Sequence, residues 1–339
     1  MKKHLTVPLL LLISFNLFAQ VPDSSLQYFK KGMEEKAAKR YLLASGYFDD
    51  AIRVYPAYTD AYVENGLVNL EMRRTDAAKN NFTKAYELDS GNETAIKQLT
   101  ELYFSYRQYQ QAIEFAEKCK TCENAGRIIA LSYYQLEDYA KAEIRLLALL
   151  EKDPADAEIT YTSGRNYLEM GLEQKAIPYY IKAVQLDESK STWMFELGLL
   201  YYNNNDFKNA VVYFNKAAEK GFIRGNDFNE NLGFAYMYSG EYEKGEKLLL
   251  EVYQRKPADK DILRDIAQAY YDSKKYDKSL EFCQKLLEQD KNDAMALYQA
   301  GMCFQKKGQK QRGQQMCDRA IELDPSLGKL RQKRMSVGL

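Results

Sequence analysis

The most explicit chemistry in this sequence lies in the stretch CKTC, where Cys119 and Cys122 stand three positions apart. Thiols at that spacing serve as a dithiol redox pair or as half of a tetrahedral zinc site. Each use makes demands outside the motif. A thioredoxin-type pair needs a βαβ setting, and a zinc site needs two further ligands. The other cysteines, at 283, 303 and 317, are remote, and the only histidine is His4. A third use is structural: cysteines at i and i+3 near a helix end can close a small disulfide across a turn. With five cysteines in 339 residues the fold is not built on disulfides, and the odd number leaves at least one unpaired.

A second motif is a decoy. GEYEKGEK, Gly240 to Lys247, has the glycine spacing of a phosphate-binding loop, but Glu246 occupies the lysine position and no strand precedes it. Gly240 is expected in a turn between helices and Gly245 at a close helix contact.

The chain opens MKKHLTVPLLLLISFNLFAQ, two lysines followed by an apolar run from Leu5 to Ala19. This reads as a cleavable secretory leader, residues 1–19, because the run falls short of the roughly 20 residues a spanning helix needs. No later segment is apolar enough to cross a bilayer, and no cysteine follows the cleavage point to carry a lipid, the first being Cys119. The expected location is the periplasm or the cell exterior. Removing the leader leaves 46 basic against 48 acidic residues and no histidine. That balance offers nothing to nucleic acid, and loss of the only histidine removes the commonest general base and metal ligand. No cofactor is expected.

The elements that position these residues repeat. Rows beginning at 25, 59, 93, 123, 157, 191, 226, 260 and 294 are separated by 34, 34, 30, 34, 34, 35, 34 and 34 residues. Column eight holds Gly32, Gly66, Thr100, Ala130, Gly164, Gly198, Gly233, Ala267 and Gly301. Column twenty holds Ala44, Ala78, Ala112, Ala142, Ala176, Ala210, Gly245, Ser279 and Gly313. Small residues at two fixed places per row let paired antiparallel helices approach closely. Bulk sits elsewhere, as tyrosine at column eleven and aromatic or leucine at column twenty-four. Pro56, Pro154, Pro257 and Pro325 all fall in column thirty-two, where a helix must end. Pro178 stands early in a second helix and is expected to bend it or displace its start.

In this frame Cys119 takes column twenty-seven, a core slot that elsewhere holds Ala51, Ala85, Ala183, Ala217 or Ala320. Cys122 falls in the turn of the one row that is four residues short, so structural use is the leading expectation. Cys283, Cys303 and Cys317 are expected as small core residues, with a disulfide among them as the alternative.

These columns resemble the tetratricopeptide repeat (TPR) family, in nine copies from Ser25 to about residue 327. The resemblance implies an all-α, right-handed solenoid of helix-turn-helix units whose first helices line a concave groove. Residues 328–339, GKLRQKRMSVGL, would form a closing helix. Columns two, five, six, nine, twelve and thirteen would face the groove, where the middle rows place Arg127, Tyr134, Tyr161, Arg165, Phe195, Tyr202, Asn203, Asn231, Phe234 and Tyr238. Aromatics and arginine are what binding surfaces concentrate, although about half of these rings are expected to pack between rows. The family's carboxylate clamp is not supported: Leu131 and Thr162 stand where polar clamp residues belong.

The expected function is a non-enzymatic scaffold that binds a peptide or partner protein in the groove, in cell-envelope assembly, secretion or polysaccharide handling. The alternatives are a structural assembly component using the convex face or the basic C-terminal end, and a dithiol redox protein acting through Cys119 and Cys122.

Overall fold

The computed structural model describes residues 21–329, so the expected leader and the part of the expected cap beyond residue 329 lie outside the described residues. Those residues form eighteen α-helices and no strand. The helices come in nine pairs: α1 (Asp23–Ala37) with α2 (Tyr41–Val54), α3 (Thr59–Glu71) with α4 (Thr75–Leu88), α5 (Glu93–Ser105) with α6 (Tyr109–Lys118), and α7 (Ala125–Gln135) with α8 (Tyr139–Lys152). There follow α9 (Ala157–Glu169) with α10 (Glu173–Leu186), α11 (Ser191–Asn203) with α12 (Phe207–Glu219), and α13 (Asn226–Ser239) with α14 (Tyr242–Arg255). The last pairs are α15 (Asp261–Asp272) with α16 (Tyr276–Gln289) and α17 (Ala294–Lys306) with α18 (Lys310–Leu323). This is the α-solenoid that the resemblance to the tetratricopeptide repeat implies. The chain divides within α8 into two compact units, Met1–Leu149 and Leu150–Leu339.

Each pair is locked where the small columns meet the large one. In the N-terminal unit the Phe48 and Phe82 rings lie on Gly32 and Gly66, where a β-carbon would come within 2.5 and 2.6 Å of ring atoms. In the C-terminal unit Tyr180, Phe214 and Leu249 lie likewise on Gly164, Gly198 and Gly233. All five bulky side chains are wholly buried, each worth roughly 1.5–3 kcal/mol of hydrophobic stabilisation. Where the row has alanine at column eight and serine at column twenty, the Ser279 hydroxyl bridges the crossing by donating to the Ala267 carbonyl at 2.7 Å.

The turn between paired helices is the same in every row. Column fifteen adopts left-handed φ in all nine: Lys39, Arg73, Arg107, Glu137, Asn205 and Lys274 at 57–60°, and Gly171, Gly240 and Gly308 at 71–97°. The next N–H then donates to the carbonyl of column eleven, as from Arg40 to Glu35 at 2.9 Å and from Glu241 to Tyr236 at 2.8 Å, closing the six-to-one bond of a Schellman ending. Gly240 thus belongs to a turn, and Gly245 meets Gly233 across the helix contact.

Pro178 departs from expectation. Helix α10 begins at Glu173, column seventeen, as second helices do in the other rows, and runs through Pro178 to Leu186. Pro178 and Gln174, whose carbonyl loses its partner, are both exposed, so water can satisfy that carbonyl and the helix start is not displaced.

The missing four residues come out of α6, which spans 10 residues where α2 and α4 span 14. Cys119 caps this short helix, and a disulfide joins it to Cys122 with the α-carbons 5.5 Å apart. Cys119 keeps its core slot, packed with Phe115 and Ile96. Glu93, at the start of α5, accepts from the Lys120 N–H at 3.3 Å and the Thr121 hydroxyl at 3.4 Å, which ties the turn back to its own row.

Candidate protein-binding face

Reactive groups are scarce among the described residues. No three histidine, cysteine, aspartate or glutamate side chains are grouped to hold a metal, and no helix is long and apolar enough to cross a membrane. Cys283, Cys303 and Cys317 are buried free thiols, so the alternative disulfide among them does not form. Burial pushes the Cys283 thiol up to about 12 and raises that of Cys303. Neither is a nucleophile at neutral pH.

The first-helix positions therefore carry the functional question. In the N-terminal unit, Arg127 and Tyr134 are half-buried on α7, with the Tyr134 ring 6.0 Å from Tyr139. In the C-terminal unit, the Tyr161 ring stacks on Trp193 with centroids 4.4 Å apart and its hydroxyl donates to Glu196 at 2.8 Å. The wholly buried Tyr180 donates to the same carboxylate oxygen at 2.9 Å. Burial, then the Glu196 charge, raises both phenol pKa values, while Arg165 acts in the opposite direction. Both phenols are fixed donors, and Arg165 also pairs with Glu169 at 3.4 Å.

Two of the expected groove aromatics are used inside the chain. Phe195 lies among Phe214, Phe222 and Phe228, with Phe222 stacked on it at 4.5 Å. Phe222 belongs to the longer connection, residues 220–225, of the one 35-residue row. Phe234 is 8% exposed within the core. Tyr202 and Tyr238 share Phe207, at 5.4 and 4.9 Å, and both remain half-buried. Asn203 is exposed, whereas Asn231 turns its amide back to the Asp227 carbonyl at 2.9 Å.

What the list of aromatics and arginines omits is acid. In rows 157 to 294 the six groove columns hold eight acidic and three basic side chains, in a chain whose formal charge is zero. Around Tyr202 and Tyr238 this charge is only partly offset, by Lys256 near Glu230 and Arg264 near Asp265. Glu230, half-buried on α13, and Asp265, exposed on α15, make no ion pair or hydrogen bond among the described residues. Loss of hydration raises the Glu230 carboxyl pKa first, and repulsion from Asp265, Asp227 and Asp259 adds to it. Asp265 is raised in the same way by desolvation and then by Asp261 and Asp259. Desolvation pushes Tyr202 up to about 12, with the charges of Asp265 and Glu230 contributing.

Beside Asp265, between α15 and α17, is a cleft of about 210 Å³. Leu286, Met295, Ala296 and Ala267 supply apolar lining, and Arg264 and Gln299 its polar edge. A larger depression, about 890 Å³, lies between α14 and α16, but its lining is balanced in charge, four glutamates against four lysines. There Glu246 accepts from Tyr270 and pairs with Lys278, and Glu241 pairs with Lys244.

Three models of the tetratricopeptide repeat match residues 129–186 and 161–222, 236–302, and 294–327, together more than half of the chain. Anaphase-promoting complex subunit 3 of Schizosaccharomyces pombe is 26% identical over 174 residues, 49% of this chain and 26% of that protein. The DnaJ protein P58IPK homolog B of Oryza sativa is 24% identical over 237 residues, 64% of this chain and 50% of the relative. The chain thus spans a quarter to a half of these relatives. Type IV pilus assembly protein PilF of Pseudomonas aeruginosa is 24% identical over 168 residues, 48% of this chain and 67% of that one. Among solved structures, the C-terminal part of a TPR repeat-containing protein from Cytophaga hutchinsonii aligns with 21% identity and a TM-score of 0.44, over 67% of this chain and 94% of that one. With its repeat columns, its paired helices and the repeat models that match more than half of it, the chain belongs to the tetratricopeptide repeat family, whose members mediate protein–protein interaction.

Proposed function

We propose that this chain is an exported, non-enzymatic scaffold that holds a segment of a partner protein on the first-helix face of its C-terminal unit, in cell-envelope assembly. The observation that carries this reading is the contrast between two faces of that unit. The second-helix depression is larger but carries as many lysines as glutamates, whereas the first-helix face combines half-buried tyrosines with an excess of carboxylates, of which Glu230 and Asp265 are not ion-paired. Half-buried charge without a counter-charge is unfavourable in an isolated solenoid and becomes favourable when a partner supplies it. The leader-like residues 1–19 support export, and the Cys119–Cys122 disulfide suits an oxidising compartment. The name of the pilus assembly relative supports the envelope assignment.

The test is site-specific photocrosslinking in the native cell. A benzophenone side chain at Asn203, exposed on the first-helix face, should yield a discrete adduct with one partner protein. The same group at Lys208, exposed on α12, should not. Adducts from 208 alone would move the interaction to the opposite face and sink the proposal.

A further inference from the structure

The cleft between α15 and α17 has a polar edge that the protein itself leaves unused. Arg264 Nε and Gln299 Nε2, on residues that line the cleft, have no acceptor among the described residues and are closed to solvent as the side chains stand. A buried donor left without an acceptor costs about 1–3 kcal/mol, so two donors lining one cleft mark a place where an acceptor is due. The acceptor is not a carboxylate. Arg264 already shares its charge between Asp261 at 2.5 Å and Asp293 at 2.9 Å, and Asp265 stands on the same wall. An anion entering there would meet three carboxylates against one guanidinium. A neutral carbonyl oxygen, as in a peptide backbone, accepts from both donors without that repulsion.

The rest of the cleft states what should flank that carbonyl. Its apolar lining includes Met295, which is 48% exposed although it sits among apolar neighbours, and about 210 Å³ accommodates one branched aliphatic side chain. Asp265 lines it, and Glu230 on α13 is close enough to repel Asp265; neither is ion-paired, and both charges act on Tyr202. Carboxylates beside tyrosine rings attract an ammonium or guanidinium through charge and through the ring quadrupole together.

We infer that this site takes a partner segment in which an aliphatic residue adjoins a lysine or arginine. The aliphatic side chain fills the space between Met295 and Leu286, the Gln299 and Arg264 side chains turn outward to donate to the backbone carbonyl, and the cation rests between Asp265 and Glu230. This deepens the proposed function and rests on its assignment of the first-helix face.

The experiment is fluorescence anisotropy with the full chain and three fluorescein-labelled nonapeptides: three repeats of Gly-Lys-Leu, of Gly-Glu-Leu and of Gly-Lys-Ser. The Lys-Leu peptide should bind at least tenfold more tightly than either of the others. Glu230→Gln combined with Asp265→Asn should weaken it about tenfold while leaving helix content by circular dichroism unchanged, and Met295→Ser should erase its advantage over Lys-Ser. Equal binding of the Glu-Leu peptide, an unaffected E230Q/D265N variant, or equal Lys-Leu and Lys-Ser affinities would each overturn the inference. A tenfold gain in Lys-Leu affinity on replacing Arg331, Lys333 and Arg334 by glutamine would assign the site to the chain's own basic segment and overturn the partner assignment. These outcomes are independent of the Asn203 crosslink: an adduct there with no Lys-Leu preference leaves the first-helix face standing and removes only the ligand class.

Discussion

The crossing of α13 and α14 permits a sharp test of what the small columns do. A β-carbon at Gly245 would stand 2.6 Å from the Gly233 carbonyl oxygen, 2.7 Å from Met237 Cγ and 2.9 Å from the Met237 nitrogen. Two of these three atoms are backbone, so a rotamer change cannot relieve the contact. Ordinary contact starts near 3.4 Å, and Gly245→Ala therefore forces the two helices apart by about 0.8 Å where Leu249, Met237 and Val252 are packed without exposure or nearly so. Overpacking of this kind costs about 1–3 kcal/mol, offset by about 1 kcal/mol of helix propensity gained on losing glycine. The net expectation is a loss of up to about 2 kcal/mol, or up to about a 30-fold rise in the local opening constant. In a solenoid each row is stabilised chiefly by its neighbours, so the readout should be local: hydrogen–deuterium exchange of peptides from α13 and α14, measured by mass spectrometry. Gly46→Ala is the matched comparison, since nothing lies within 4 Å of its would-be β-carbon. That change should slow exchange in α2 by about 2- to 5-fold through propensity alone. If exchange in α13 and α14 slows in Gly245→Ala as it does in α2 of Gly46→Ala, close approach is not the reason for the small columns and the packing account is refuted.

Two further predictions concern the disulfide and the acidic face. Cys119→Ser should destabilise the α6–α7 region by roughly 2 kcal/mol, the loop-entropy value for so short a closed loop, seen as faster exchange confined to α5, α6 and α7 with the Asn203 crosslink unchanged; loss of that crosslink would return the pair to a functional role. Glu230 and Asp265 have folded pKa values above their ordinary ones, so the folded state binds protons more readily there. The stability they contribute on protonation is present below the raised folded values and is lost as pH rises through them. Asp265→Asn should therefore raise the thermal midpoint at pH 7 and shrink the gain that the wild-type chain shows on acidification toward the upper edge of the carboxylate range; a lower midpoint at pH 7 would show that attraction to Arg264 outweighs desolvation and the neighbouring acids.

How much of this was legible in the sequence depends on whether a residue's role is set within its own row. Gly32 and Phe48, or Gly198 and Phe214, lie sixteen positions apart and meet in the folded pair, so recurring columns were enough to read the fold. The left-handed turn at column fifteen was not legible, because six rows place Lys, Arg, Glu or Asn there and only three place glycine. The repeat enforces the conformation through the six-to-one bond that follows it, and that bond requires no particular side chain. Pro178 shows the same precedence from the other direction: its exposed site lets the row keep its register against a helix breaker.

The candidate site divides along the same line. Columns identify which side chains share the first-helix face, but not which of them the chain consumes in its own packing. Phe195 stacks on Phe222, which stands in column thirty-two where four other rows place proline, and Phe234 is sealed by contacts with the next row. Burial thus removes Phe234 from the face, and ring stacking occupies the half-buried Phe195. Charge behaves differently, because a carboxylate cannot be absorbed into an apolar core without a partner. Glu230 and Asp265 consequently stay at the surface, unpaired, beside tyrosines that packing has left half open. The excess of acid over base in the groove columns, set against a neutral chain, was countable before any helix was placed. On a solenoid whose rings are largely spent on neighbouring rows, residual charge at the groove columns reports the ligand's chemistry better than aromatic content does.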